Sequence, residues 1–188
     1  MNKTAAVKNI LWTIILIGVI IFSAIYILRL IFPNSYCQTV IKYCDKYGVD
    51  AYTAFAIMRA ESGCEKDARS RAGAKGLMQI TDETFEFCRS NLNLSSKNIY
   101  NIDSNIHAGV WYFSHLYEKT GGNLTNTLSA YNAGLSNVNK WLKDKRCSVD
   151  GKTLSRLPYK ETEKYVQRIL QYCKIYKLLY PRYTGGLL

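Results

Sequence analysis

The sequence predicts a mainly α-helical domain preceded by one N-terminal transmembrane helix. Three observations carry that prediction. From Ile10 to Leu28 the chain runs 19 residues without a charged side chain. Beyond Pro33, apolar residues recur at the three-and-four spacing of helices, and capping residues alternate with the glycines that stop those helices. No stretch of alternating β-branched residues competes with them.

The run ILWTIILIGVIIFSAIYIL, at about 1.5 Å per residue, matches a hydrocarbon core of about 30 Å. A core helix of a soluble domain would show a polar face, and this run has none. A signal peptide has a shorter apolar region, about 7–15 residues, closed by small residues at its cleavage site. Arg29, Leu30, Ile31 and Phe32 follow here instead, which favours an uncleaved anchor in the cell membrane through residues 10–28. Lys3 and Lys8 precede the run and Arg29 follows it, a bias that keeps the N-terminus in the cytoplasm and places the remainder on the extracytoplasmic side. The chain thus divides into a tail and anchor at 1–33 and one compact domain at 34–188.

Within that domain, Ser35 can cap a first helix carrying Val40, Ile41 and Tyr43, which Gly48 stops. Asp50 caps a second, AYTAFAIMRAES, ending at Gly63. Thr81 opens a third, with Phe85 and Cys88. Asp103 opens a fourth, in which Ile106, Val110, Phe113 and Tyr117 recur at helical spacing before Gly121. Further helices are predicted over 124–133, 136–142 and 160–180, and polar residues with glycine mark loops at 92–100 and 145–157.

With 188 residues, 48% of them hydrophobic, there is room for a single packed core. The 25 Lys and Arg against 14 Asp and Glu give a net charge of +11, which favours an anionic partner. Nucleic acid is argued against, because the basic residues are scattered and no recognition motif stands out. All six cysteines (Cys37, Cys44, Cys64, Cys88, Cys147 and Cys173) lie after the apolar run, as an oxidising compartment would favour. Six cysteines allow 15 pairings, and free buried thiols are the alternative. Cys37 and Cys44 are excluded as a pair within one helix, because seven residues rise about 10 Å whereas bridged Cα atoms lie about 5.5 Å apart. No CxxC occurs, and His107 and His115 sit near no cysteine pair, so neither a metal nor another cofactor is predicted.

The chemistry concentrates between Glu61 and Gln79, in ESGCEKDARSRAGAKGLMQ. Glu61 ends an apolar helix that contains Phe55, Ala56, Met58 and Ala60. Desolvation there disfavours the carboxylate and raises its pKa, which suits a general acid near neutral pH. The negative end of the helix dipole acts in the same direction. Gly73 and Gly76 permit a tight turn and close approach of backbone to a bulky ligand.

Glu61-Ser62, Ser70, Gly73-Ala74-Lys75-Gly76-Leu77-Met78-Gln79-Ile80 and Thr84 resemble the signature of the lytic transglycosylases related to the soluble lytic murein transglycosylase. Ala130-Tyr131-Asn132-Ala133-Gly134 resembles that family's second motif, and Pro158-Tyr159-Lys160-Glu161-Thr162 with Tyr165-Val166 its third. The three stand in the family's order, over roughly residues 36 to 180. The resemblance implies a lysozyme-like helical fold that cleaves the β-1,4 bond between N-acetylmuramic acid and N-acetylglucosamine in peptidoglycan, forming a 1,6-anhydro product without consuming water. It assigns the catalytic acid, and then base, to Glu61. Substrate positioning falls on Ser70, Gln79, Tyr131 and Asn132, with Tyr131 close to the acid and able to donate to it. Tyr165 and Glu161 match the third motif. Ordinary glycosidases flank the bond with two carboxylates, whereas a nucleophile within the substrate lets one protein acid serve both half-reactions. Where the family usually has an aromatic residue three positions after the acid, this chain has Cys64, and a Cys64–Cys88 bridge would replace that contact. Asp82 stands where the family commonly has proline.

Each residue also has a plain structural role open to it. Ser70 and Gln79 can brace a loop, Tyr131 and Asn132 can end a helix at Gly134, Tyr165 can be core, and Glu161 can be a solvated first-turn acid. Two other functions fit the same residues: a lysozyme-type hydrolase of the same bond, and a non-catalytic wall-binding scaffold. An envelope or secretion assembly is a partner that an anchored enzyme of this size would suit.

Overall fold

The computed structural model describes residues 3–181, with side chains from residue 8, so the ends of the predicted tail and domain (1–2 and 182–188) and the Lys3 side chain lie outside the described residues. Two compact units emerge, Met1–Asn34 and Ser35–Leu188. The first is one helix, α1 (Lys3–Ile31). Its segment Lys8–Ile31 has a mean hydropathy of 2.7, no part of it buried, and enough length to cross a membrane. Thr13 turns its hydroxyl onto the Asn9 carbonyl at 2.9 Å, satisfying a polar group within the apolar run.

The second unit contains α2 (Cys37–Tyr47), α3 (Ala51–Ser62), α4 (Asp82–Asn91), α5 (Ile102–Lys119), α6 (Leu124–Ala133), α7 (Leu135–Lys143) and α8 (Lys160–Leu179). Among the described residues there is no strand, only two isolated bridges in the loop between α3 and α4. Helix α3 is the centre. Every residue from Ala51 to Met58 is buried, as expected of a helix packed on all sides. It lies along α8, where Phe55 stacks on Tyr176 at 5.5 Å. Asp50 caps its start by accepting from the Thr53 amide, and Gly63, at φ 65°, ends it.

Two predicted helix starts shift. Tyr36, in the left-handed region at φ 58°, turns the chain so that α2 begins at Cys37 with no side-chain cap, in place of a Ser35 cap. Asn101, not Asp103, caps α5 by accepting from the Ser104 amide. The Asp103 carboxylate is instead engaged by the hydroxyls of Tyr43 and Ser95. The expected Cys64–Cys88 bridge is not formed, and all six cysteines are free thiols. Cys88 faces the Ala108 carbonyl, while Cys64 is hydrogen-bonded with Tyr176, so the two sulfurs are committed to different helices.

The loop between α7 and α8, which the motifs leave unexplained, is held by the buried Asn126 of α6. Its amide donates to the Lys152 carbonyl at 2.7 Å, and its oxygen accepts from the Leu154 amide at 3.1 Å. Cys147 and Leu154 then pack with Leu116, Val138 and Trp141 as a second apolar cluster.

Candidate active site

Glu61 sits in the last turn of α3, where the buried helix emerges beside α8. A cleft of about 300 Å³ opens there, lined by Ala60, Glu61, Asn132, Glu161, Lys164, Tyr165 and Arg168. Helices α3, α6 and α8 thus each place side chains on one space. The buried Tyr165, 7% exposed, donates its hydroxyl to Glu61 Oε1 at 2.7 Å. Burial pushes the Glu61 carboxyl from its ordinary 4.5 up to about 7, against the pull of the Tyr165 hydrogen bond and the Arg168 charge. The acid is therefore held in one orientation and is still substantially protonated at neutral pH.

Tyr131 does not make the hydrogen bond to Glu61 predicted for it. Its hydroxyl donates to the Met78 carbonyl at 2.9 Å. Burial and the nearby Glu61 charge both raise its own pKa well above the ordinary value, so it still borders the acid. The hydroxyl that grips Glu61 belongs to Tyr165, which is at the same time buried in the core.

The loop between α3 and α4 forms the adjoining wall, and its polar side chains are spent on bracing it. Ser70 accepts from the Ala74 amide at 3.0 Å, and the Gln79 amide donates to the carbonyls of Gly76 and Ala68. Neither residue is among those lining the cleft. Ser62 donates to the Leu77 carbonyl at 2.8 Å, so the apex is tied to the same helix end that carries the acid. Gly76 is required for two reasons: its φ is +74°, and a Cβ there would collide with the Asn105 side chain.

That asparagine is a residue sequence reasoning missed. Asn105 of α5 accepts from the Met78 amide at 2.8 Å and donates to the carbonyls of Lys75 and Ile99 at 3.1 and 2.9 Å. Nothing local marks it, since its partners lie up to 30 residues away. Lys164 and Arg168 were also missed, although a signal existed: Glu161, Tyr165 and Arg168 fall at helical spacing on α8, so a helix that sends Tyr165 into the site brings its neighbours along. Among the described residues no three His, Cys, Asp or Glu come together as metal ligands.

Comparison with known proteins places this geometry in context. The transglycosylase SLT domain family matches residues 38–152. The soluble lytic murein transglycosylase of Escherichia coli K12 is 29% identical over 151 residues, which is 78% of this chain and 23% of that protein. The membrane-bound lytic murein transglycosylase C of Histophilus somni is 33% identical over 117 residues, 56% of this chain and 32% of that protein. Among solved structures, an inactive mutant of the lytic transglycosylase Slt of Pseudomonas aeruginosa superimposes with a TM-score of 0.70 at 33% identity, covering 80% of this chain and 25% of its own. The 70-kDa soluble lytic transglycosylase of Escherichia coli gives a TM-score of 0.72 at 26% identity, over 85% and 27% respectively. The chain therefore spans about a quarter of the length of the soluble relatives it matches.

Proposed function

The chain belongs to the transglycosylase SLT domain family, and we propose that it cleaves the β-1,4 bond between N-acetylmuramic acid and N-acetylglucosamine in peptidoglycan as a lytic transglycosylase. In this reading Glu61 first gives its proton to the glycosidic oxygen, so that the leaving sugar departs as an alcohol. The resulting carboxylate then takes the proton of the muramoyl 6-hydroxyl as that oxygen closes on C1. The product carries a 1,6-anhydro ring, no water is consumed, and Glu61 ends protonated as it began. The observation that carries the proposal is one acid raised to about 7 and oriented by a 2.7 Å hydrogen bond inside an open cleft. Proton donation and return by a single group are most efficient when its pKa lies near the working pH.

Asn132 supplies an amide to the sugar's acetamido and hydroxyl groups, and Glu161 a carboxylate to its hydroxyls. Ser70, Gln79 and Tyr131 act through the loop they brace. The Lys8–Ile31 segment anchors the enzyme as a single span, with the catalytic domain on the extracytoplasmic face where its substrate is.

A lysozyme-type hydrolase is favoured by one observation, that Glu161 lines the same cleft and offers a second carboxylate. Mass spectrometry of muropeptides released by the full chain separates the two readings. Products lighter by one water are expected from the transglycosylase, and their hydrated counterparts from the hydrolase. Binding without any soluble product would support a scaffold instead. Glu61→Gln is expected to abolish release, and retained activity would overturn the assignment.

A further inference from the structure

The cleft beside Glu61 carries two cations that proton transfer does not need. Lys164 and Arg168 are one turn apart on α8, both exposed, and both line that space. Among the described residues no carboxylate is ion-paired with either, although Glu161 lies one turn before Lys164 on the same wall. Arg168 pulls down the pKa of an acid that must be protonated to work. The other groups bearing on Glu61 are the hydroxyls of Tyr165 on α8 and Tyr131 on α6, and neither supplies a countercharge for the guanidinium. A negatively charged ligand would remove that pull on arrival, because a paired guanidinium exerts little field beyond its partner.

We infer that Lys164 and Arg168 are a carboxylate-recognising pair that makes the cleft prefer glycan strands bearing free carboxylates beside the scissile bond. The inference rests on the glycan-cleaving reading and adds to it the class of substrate. An arginine fork matches a planar carboxylate, and a lysine four residues earlier adds a point charge on the same face. In peptidoglycan such carboxylates come from two sources, the stem peptide or the lactyl group of muramic acid once the peptide is gone.

The test is equilibrium binding of the full chain in detergent, carrying Glu61→Gln to prevent turnover, to fluorescently labelled soluble glycan strands. Three probes are used: peptide-bearing strands, the same strands with their carboxylates amidated, and strands stripped of peptide. Amidation is expected to weaken binding about tenfold, as two partly exposed charge pairs warrant. Adding Lys164→Gln and Arg168→Gln is expected to weaken binding to the unamidated strand by the same factor and to erase the difference. Lys140→Gln with Lys143→Gln, two exposed cations on α7, removes equal charge and is expected to leave the difference intact. Tight binding of stripped strands assigns the lactyl carboxylate, and tight binding of peptide-bearing strands alone assigns the stem. Binding of peptide-bearing strands that is indifferent to amidation with stripped strands bound no more tightly, or a Lys164/Arg168 variant that still discriminates, overturns this inference while leaving the glycan-cleaving reading intact. Failure to bind any strand overturns both.

Discussion

Replacing the acid by its neutral isostere should make this protein more stable at the pH where it works. Glu61 has a pKa of about 7 in the folded chain against 4.5 ordinarily. Between those values the folded state binds the proton and the unfolded state releases it, so stability falls as pH rises through that window. At about 1.4 kcal/mol for each pH unit, the full cost of ionising the folded acid is ~3 kcal/mol. Part of the carboxylate faces the cleft, and solvent there reduces the cost to about 1–2 kcal/mol. A glutamine side chain in its place would keep an oxygen to accept from Tyr165 and carry no charge. Glu61→Gln should therefore raise the midpoint of thermal unfolding by roughly 3–6 °C at pH 8, at about 2–4 °C per kcal/mol for a chain of this size. At pH 4.5, where ionisation of Glu61 no longer separates the two proteins appreciably, the variant and the parent should melt together. Circular dichroism melts of the full chain in detergent at pH 4.5, 6 and 8 test this. A Glu61→Gln chain that melts lower than the parent at pH 8, or by a margin that does not change with pH, would refute the placement of a poorly hydrated acid at this helix end.

Tyr165→Phe removes the hydroxyl that stabilises the charged form of Glu61. The alkaline limb of the pH–rate profile should move up by about half to one pH unit, with a maximal rate about tenfold lower from lost orientation. Asn105→Ala strips three hydrogen bonds from the buried side of the loop and should cost about 2–4 kcal/mol in urea unfolding. Gly76→Ala should cost about 2–3 kcal/mol through its positive φ and the collision with Asn105. His107, buried and stacked on Tyr43 at 4.0 Å, is held at a pKa of about 4, first by burial and then by the charges of Lys46 and Lys42. Its folded pKa lies below the unfolded value of about 6.5, so stability should drop as pH falls from 6.5 towards 4, by up to ~3 kcal/mol. His107→Gln should flatten that part of the stability profile, measured by urea midpoints at pH 4, 5, 6 and 7.

Local chemistry was legible wherever it decided the outcome. Asp50 and Gly63 bound α3 as their types require, because a cap and a left-handed stop act within one turn. Prediction failed where a distant partner outbid the local one. Asp103 looked like a cap, but Tyr43, 60 residues away, engages its carboxylate, and Asn101 takes over. Tyr131 was expected at the acid because the family resemblance places the tyrosine of the second motif there; the Met78 carbonyl, in the loop between α3 and α4, claims its hydroxyl. The gap left by an aromatic residue at position 64 was expected to be spanned by a disulfide, and a hydrogen bond with Tyr176 serves there instead.

The choice of a tyrosine to hold Glu61 has a physical reason that binds these observations together. A buried carboxyl needs a partner, since an unsatisfied one costs about 1–3 kcal/mol. A lysine or arginine at 2.7 Å would satisfy it and ionise it permanently, depressing its pKa by about 1–3 units and leaving no proton to give. A hydroxyl fixes orientation at far less cost in proton affinity, and burial then outweighs it, leaving the acid at about 7. Arg168 lies near enough to act on that balance without forming an ion pair. Orientation and ionisation of the acid thus have different main causes: the Tyr165 hydroxyl sets the first, and burial at the end of α3 sets the second, with Tyr165 and then Arg168 trimming it.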